Sequence, residues 1–522
     1  MKKKTTEPAA PELTPGLRRF LYVTACLTGG AIMVVEILGA KMLAPYLGTS
    51  HFVWTAQIAV TLVALAAGYY AGGRLVDASP RLSHLYLCLL AAGLYLSLTI
   101  LLVRPVAFAC IRLSLPVGSL LASAFLFFIP LGLMAMVGPF LIRILTASVN
   151  YVGGNVGRLT ALSTLGSFAG TMLVSYILIR FLPNSISMYL TAALLLALPL
   201  LYFVVWRKSA FPPTGAIALV GLVVGLMGVR QDLRGDFRTM EELARHNSPF
   251  GMLQVLQAKN GTRRLYLNDY LVQNTYDILA KKSTSMFTFM LHDLAVAYTP
   301  RIESALCIGM GVGIVPMDFV RAGVQVDVVE INPEVVPIAR EFFDCEPETF
   351  HLVIGDGRSF LNDCDRQYDA VVLDAFLGDS SPSHLMTREA FASIARVLKP
   401  DGVLVMNCFG DFAPGKDFFV ASLYKTLSAV FPGVRIHNAY NGGNVFFVAG
   451  PRSSLDIVRP PTFEHLYPAV ASAVQSAFAR RVETNPDHGI VLTDDYNPVE
   501  IYDAANREEV RRSLAGNIHD YF

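Results

Sequence analysis

Seven apolar stretches, each long enough to cross a bilayer, follow one another through the first 229 residues, at about 20–45, 53–73, 84–103, 117–146, 159–181, 186–206 and 212–229. A hydrocarbon core takes roughly 20 helical residues to cross, and within it only helices and closed barrels satisfy their own backbone. The series therefore predicts a multi-pass α-helical membrane bundle over residues 20–229, set in an inner or plasma membrane. Its first stretch lacks a small-residue cleavage site and is followed by more of the same, so it does not read as a cleavable leader. Lys2, Lys3, Lys4, Arg18 and Arg19 place the tail, residues 1–19, in the cytoplasm by the positive-inside bias, and Arg74 and Arg81 in "GGRLVDASPRLSH" agree. Residues 104–145 contain Arg112, Pro116, Pro130 and Pro139, which leaves room for one span or two short ones. Seven spans would put the rest of the chain outside; eight would return it to the cytoplasm, the side expected for a catalytic domain. Glu36 falls inside the first span, where facing lipid costs roughly 2.5–3.5 kcal/mol or more, so it is expected to face the bundle interior.

From Arg230 onward charged residues return at globular density. Averaged over the chain, 53% hydrophobic and 16% charged residues are too apolar for an ordinary soluble protein, and a net charge of +1 gives no footprint for nucleic acid. The seven cysteines are scattered, with no CxxC pair and no histidine-rich neighbourhood, so no metal is expected and free thiols in a reducing compartment are. Residues 230–247 read as a charged linker, helical around "MEELARH". In 248–300, "FGMLQVLQAKNGTRRLYLNDYLVQ" alternates on both sides of Asn260–Gly261, which predicts a β-hairpin cap.

Residues 301–455 alternate strand and helix. "SALCIGM", "VQVDVVEI", "FHLVIGD", "YDAVVLDAF" and "GVLVMNCF" are strand-like, and "IVPMDFVRAG", "PEVVPIAREFF" and "TREAFASIARVL" are amphipathic helices between them. This is the pattern of a parallel sheet covered on both faces, closed by an antiparallel hairpin of "GVRIHNAY" and "GNVFFVAG" about Asn441–Gly442–Gly443. The fold class is thus a membrane bundle followed by an α/β Rossmann-like domain of the class I methyltransferase kind with an N-terminal hairpin cap. Residues 456–522 form a C-terminal extension.

Polar and glycine residues gather at the strand ends. Gly309, Gly311 and Gly313 follow the first strand and open a helix, where backbone can approach a ligand. Glu330 ends the second strand, 17 residues past Gly313, placed to accept hydrogen bonds from two ribose hydroxyls. Asp356 and Gly357 follow the third, and Asp374 the fourth. A GxGxxG dinucleotide loop would need a glycine where Ile314 or Pro316 stands, so an adenosyl sulfonium, S-adenosylmethionine or its decarboxylated form, fits better than NAD.

With "TRRLYLNDYLVQ", "CIGMGVG", "VVEINPEVV", "GDGRSFL" and "VVLDAFLGDSSPSHLMTREAF", the chain over roughly 245–450 resembles the spermidine synthase (polyamine aminopropyltransferase) family, and in particular its membrane-fused members. The resemblance implies transfer of an aminopropyl group from decarboxylated S-adenosylmethionine to a small-molecule amine such as putrescine, leaving methylthioadenosine, and a homodimer. It implies ribose binding by Glu330, adenine contact by Asp356 with Gly357, a nucleoside wall at Pro382 and proton acceptance by Asp374. Gln273, Asp379 and Asp495 become candidates for the cationic amine, Asp495 with Asp494 in a "LTDDYNPVE" segment that either closes over substrate or caps the domain. Departures from the family pattern fall on the amine side: Val312 where an aspartate holds the aminopropyl ammonium, Met286 and Phe287 where a tyrosine–histidine pair stands, Gly251 in place of a nucleoside-contacting glutamine. Two other readings stay open: an S-adenosylmethionine-dependent methyltransferase acting near the membrane, and a transporter or sensor with a nucleoside-binding domain.

Overall fold

A computed structural model of the 522-residue chain describes residues 13–48, 50–146, 152–208, 211–234, 237, 239–376, 382–438, 443–502, 508–509 and 511. Two compact units divide it, a helical one over residues 1–47 and 52–235 and an α/β one over 48–51 and 236–522.

The helical unit consists of α1 (Pro15–Leu47), α2 (His51–Ala78), α3 (Leu82–Cys110), α4 (Leu115–Ala135), α5 (Val137–Leu145), α6 (Val152–Leu173), a π turn at Val174–Leu178 running on into α7 (Ile179–Phe181), α8 (Asn184–Trp206) and α9 (Phe211–Arg234). Among the described residues seven helical segments are long and apolar enough to cross a membrane. The stretch Leu115–Leu145 is one of them and not two, a break at Met136 separating α4 from α5. The nine residues of α5 rise only about 14 Å, too little to cross alone. Within the unit α1 and α6 pack through glycine. A Cβ on Gly166 would strike the Cys26 carbonyl and one on Gly170 the Gly30 backbone, while Ser167 Oγ donates to the Gly29 carbonyl at 3.1 Å. Small residues let helix backbones meet where lipid offers no hydrophobic drive. Glu36 is half-buried on α1.

The α/β unit opens with a five-stranded antiparallel sheet, β1 (Met240–Ser248), β2 (Gly251–Ala258), β3 (Arg263–Asn268), β4 (Leu271–Asp277) and β5 (Lys282–Ser283), in that order. The turn at Asn260–Gly261 forms as expected, with Gly261 at φ +71°. The cap is larger than a hairpin, however, and "MEELARH" is strand, not helix. Met240 to Ser248 pairs with β2 from Ala258 back to Gly251, and the Met240, Leu256, Leu265 and Leu267 side chains share a small core with Phe237.

A seven-stranded sheet follows: β6 (Ser304–Ile308), β7 (Gln325–Glu330), β8 (His351–Ile354), β9 (Tyr368–Leu373), β10 (Leu398–Gly410), β11 (Gly433–Asn438) and β12 (Gly443–Gly450), ordered β11-β12-β10-β9-β6-β7-β8. Strands β6 to β10 are parallel, and β12 runs antiparallel between β10 and β11. Near-continuous apolar sequence suits strands covered on both faces, and the sheet buries separate cores on its two sides. The helices α10 (Met286–Tyr298), α11 (Ile314–Arg321), α12 (Val335–Phe342), α13 (Gly357–Asp363), α14 (Arg388–Val397), α15 (Phe418–Ser428) and α16 (Pro468–Ala479) complete the layers. From β6 the chain moves outward through β7 to β8, then returns to β9 on the other flank of β6. That reversal opens a crevice beyond the carboxyl ends of β6 and β9.

Candidate active site

The crevice is a cleft of about 740 Å³, and the residues singled out at the strand ends line it: Gly309, Gly311, Glu330, Asp356, Gly357, Asp374 and Pro382, with Gln273 from β4. Gly309 turns the chain at the end of β6 with φ +93°, and a Cβ there would strike the Asp374 carbonyl, so the β6 and β9 ends close tightly on each other. Asp374 N donates to the Ile308 carbonyl at 3.0 Å across the same gap. Gly313 does not line the cleft; at φ +83° it caps α11, where a Cβ would collide with Cys345. Its role is to aim the loop.

Glu330 is buried at 8% exposure. One carboxylate oxygen accepts from Met310 N at 2.9 Å and the other from Asn332 N at 2.8 Å. Burial pushes its carboxyl above the ordinary value, opposed by those backbone donors. Each oxygen keeps a further lone pair, enough for one hydroxyl apiece of a vicinal diol.

Asp374 ends β9. Burial away from bulk water pushes its carboxyl from 3.8 up to about 6, and a hydrogen bond from Asn407 Nδ2 to Oδ1, 2.9 Å long, works the other way. Asn407 in turn accepts from Asn444 Nδ2 at 2.9 Å. These asparagines stand on β10 and β12, and both line the cleft. Sequence reasoning passed over them; the available signal was a lone polar residue inside the apolar run "GVLVMNCF" on the strand beside β9. A carboxylate with a pKa near 6 is ionised at neutral pH and still basic enough to take a proton.

Asp356 also has partners within the chain. Oδ1 accepts from Ser359 N at 2.9 Å, capping α13, and Oδ2 lies 2.9 Å from His384 Nε2. Although partial burial acts the other way, these bonds hold its carboxyl below the ordinary value. Each oxygen has one partner and keeps a further lone pair, so Asp356 shapes the cleft wall through His384 and can still accept from a ligand.

The amine-side candidates separate. Gln273 is on the wall; Asp379 lies outside the described residues; Asp495 is exposed and not among the lining. It is Asp494 that is tied down, accepting from Thr387 Oγ1 at 2.6 Å and Arg358 Nη2 at 3.0 Å, while Asn497 Nδ2 donates to the Ser383 carbonyl at 2.8 Å. "LTDDYNPVE" thus packs as a cap on residues 383–388, with Tyr496 left 60% exposed. Val312, Met286 and Phe287 line the cleft as apolar wall, whereas Asp411 and Glu509 bring carboxylates to it. Gly251 has no room for a side chain, Asn268 standing where its Cβ would go.

The spermine/spermidine synthase domain family matches residues 285–437. A polyamine aminopropyltransferase of Vibrio vulnificus is 29% identical over 224 residues, covering 39% of this chain and 71% of that protein. An N-terminal histidine N-methyltransferase of Emericella nidulans is 33% identical over 139 residues, 26% of this chain, which spans only 24% of its length. A solved spermidine synthase of Thermotoga maritima aligns at 17% identity with a TM-score of 0.36, covering 53% of this chain and 88% of its own. The C-terminal part of the chain thus carries a region similar to the spermine/spermidine synthase domain.

Proposed function

We propose that the α/β unit transfers the aminopropyl group of decarboxylated S-adenosylmethionine to a small amine such as putrescine. The observation that carries this reading is Asp374, a carboxylate raised to about 6 at the carboxyl end of β9, in a cleft that also holds Glu330, at the end of β7 two strands along, for a ribose. An ammonium cannot attack, so the amine must first lose a proton. Asp374 accepts that proton, and the amine nitrogen forms a bond to the aminopropyl carbon next to sulfur. The carbon–sulfur bond breaks with its electron pair left on sulfur, so methylthioadenosine departs neutral. Proton acceptance of this kind is worth about 10²–10⁴-fold, and holding amine and sulfonium in line adds to it. Asp411 and Glu509 reach the cleft with Lys416 between them, at 3.6 and 2.8 Å, so the three leave one net negative charge for the rest of a cationic acceptor.

The same reading sets the helical unit in the plasma membrane and the α/β unit in the cytoplasm, where the donor is made. Leu62, Val63, Tyr70, Leu165, Phe168, Tyr176 and Leu219, each at least 61% exposed, support insertion, since a water-soluble surface rarely carries so much apolar area. With seven crossings, residues 1–12 then fall on the opposite face, against the charge bias of Lys2 to Lys4. Reporter fusions at both ends decide between that arrangement and its inverse. A homodimer belongs to the reading through the family resemblance, and mass measurement in detergent tests it.

The deciding experiment is product analysis by mass spectrometry with the purified full chain, either donor, and a mixed amine pool. Methylthioadenosine formed only with the decarboxylated donor and an amine supports the reading. S-adenosylhomocysteine from the intact donor would replace it with methyl transfer, and nucleoside binding without either product would point to a sensor or transporter.

A further inference from the structure

Away from the cleft, three groups with no part in the transfer reaction come together. His292 and Asp293 are neighbours on α10, and His465 stands 172 residues beyond Asp293, just ahead of α16. Asp293 Oδ1 lies 3.0 Å from His292 Nδ1 and 3.0 Å from His465 Nε2, and the three ligand atoms all fall within 4.8 Å of one another. The Asp293 side chain is 4% exposed, yet its second oxygen, like His292 Nε2, is buried without a partner among the described residues. A buried carboxylate calls for compensation on both oxygens. Two histidines converging on one oxygen leave the other uncompensated.

We propose that His292, Asp293 and His465 form a zinc site, with Nδ1, the carboxylate and Nε2 as ligands and water in the fourth position. Zinc bonds of about 2.0–2.2 Å in a tetrahedron put ligand atoms about 3.3 Å apart, near the 3.0 Å of both histidine–aspartate pairs. Two imidazoles with one carboxylate suit zinc; calcium and magnesium take oxygen alone. The His292 ring is held against Phe319 at 4.9 Å, and the His465 side chain, 45% exposed, gives the ion a way in. A bound ion fastens the start of the C-terminal extension to α10, which it already meets where Val458 N and Arg459 N donate to the Ala297 carbonyl at 2.8 and 3.1 Å. Met286 and Phe287, on the first turn of α10, line the cleft, so the site sits midway along a helix whose start faces the cleft.

The test uses untagged full chain in detergent, loaded with zinc and dialysed against metal-free buffer. Elemental analysis is expected to find about one zinc per chain, lost in His465→Ala and Asp293→Asn and kept in His465→Cys, since a thiolate replaces the imidazole as ligand. Zinc should raise the unfolding temperature of the wild type and leave that of His465→Ala unmoved. Cobalt(II) in the wild type should give the intense visible bands of a four-coordinate site, a readout that needs no variant to fold. Wild type without retained zinc, zinc content unchanged in His465→Ala, or cobalt spectra of the hydrated ion would each overturn the assignment.

Discussion

Replacing Asn407 by leucine should move the acid limb of the pH–rate profile upward. Asn407 Nδ2 donates to Asp374 Oδ1 over 2.9 Å, a bond that favours the carboxylate and holds its pKa at about 6 against burial. Removing the donor destabilises the charged form alone, so the pKa must rise. A hydrogen bond to a charged group contributes about 1.5–3 kcal/mol, and each pH unit corresponds to about 1.4 kcal/mol. The limb should therefore shift from about pH 6 to about pH 7–8. At pH 7 the ionised fraction would fall from about nine-tenths to between about a half and a tenth, and the rate with it, while above about pH 9 the variant recovers. Leucine is chosen over alanine because it denies the space to a water that could restore the donor. Asn444→Ala, which acts only through the 2.9 Å bond to Asn407 Oδ1, should shift the limb the same way by less. The assay is kcat/KM for methylthioadenosine release across pH 5–9, roughly the range that brackets both limbs. A limb that stays at pH 6, or moves down, would refute both the role of Asp374 as proton acceptor and that of Asn407 as the group tuning it.

Asp374→Asn should lower kcat by about 10²–10⁴-fold with donor binding little changed, checked by single-turnover product formation. Because burial raises this carboxyl in the folded chain, Asp374 weakens folding above the pKa of the unfolded chain, 3.8, most fully above about 6. The asparagine variant should unfold at higher temperature at pH 7 by the equivalent of at most about 3 kcal/mol, with the gain fading as pH falls from about 6 toward 4. Under the proposed ribose-binding role, Glu330→Gln should weaken donor binding about 10–100-fold, measured by calorimetry, with kcat less affected. Gly313→Ala sets a side chain at φ +83° against Cys345 and should destabilise the α/β unit by about 1–3 kcal/mol, read from denaturant unfolding.

Strand ends were legible in the sequence because each combines a Val/Ile/Leu run with a breaker or an acid, a local signal. That is why Glu330, Asp374 and the glycine loop lie where the spacing predicts. The span series was legible for the same reason. "MEELARH" was misread because Met, Glu, Leu, Ala and Arg are all good helix formers; its pairing with β2 depends on a partner strand that local preference does not see. The Asp356–His384 pair was not legible, because nothing in "GDGR" announces that His384, 28 residues on, takes one of its oxygens. The His292–Asp293–His465 cluster was invisible for a plainer reason, its third member arriving only once α16 has been laid against α10.

The glycine seam between α1 and α6 bears on the order in which the chain is made. Gly166 follows Gly29 by 137 residues (166 minus 29). At about 5–20 residues per second, synthesis takes about 7–27 s to cover that interval. Throughout it α1 has left the ribosome without the helix whose backbone fits its own. Among the described residues, a nascent chain cut short before Val152 holds α1 to α5 and none of that partner. A bulky residue at Gly29 or Gly166 would therefore meet its collision only once α6 has been made, as a fault in assembly.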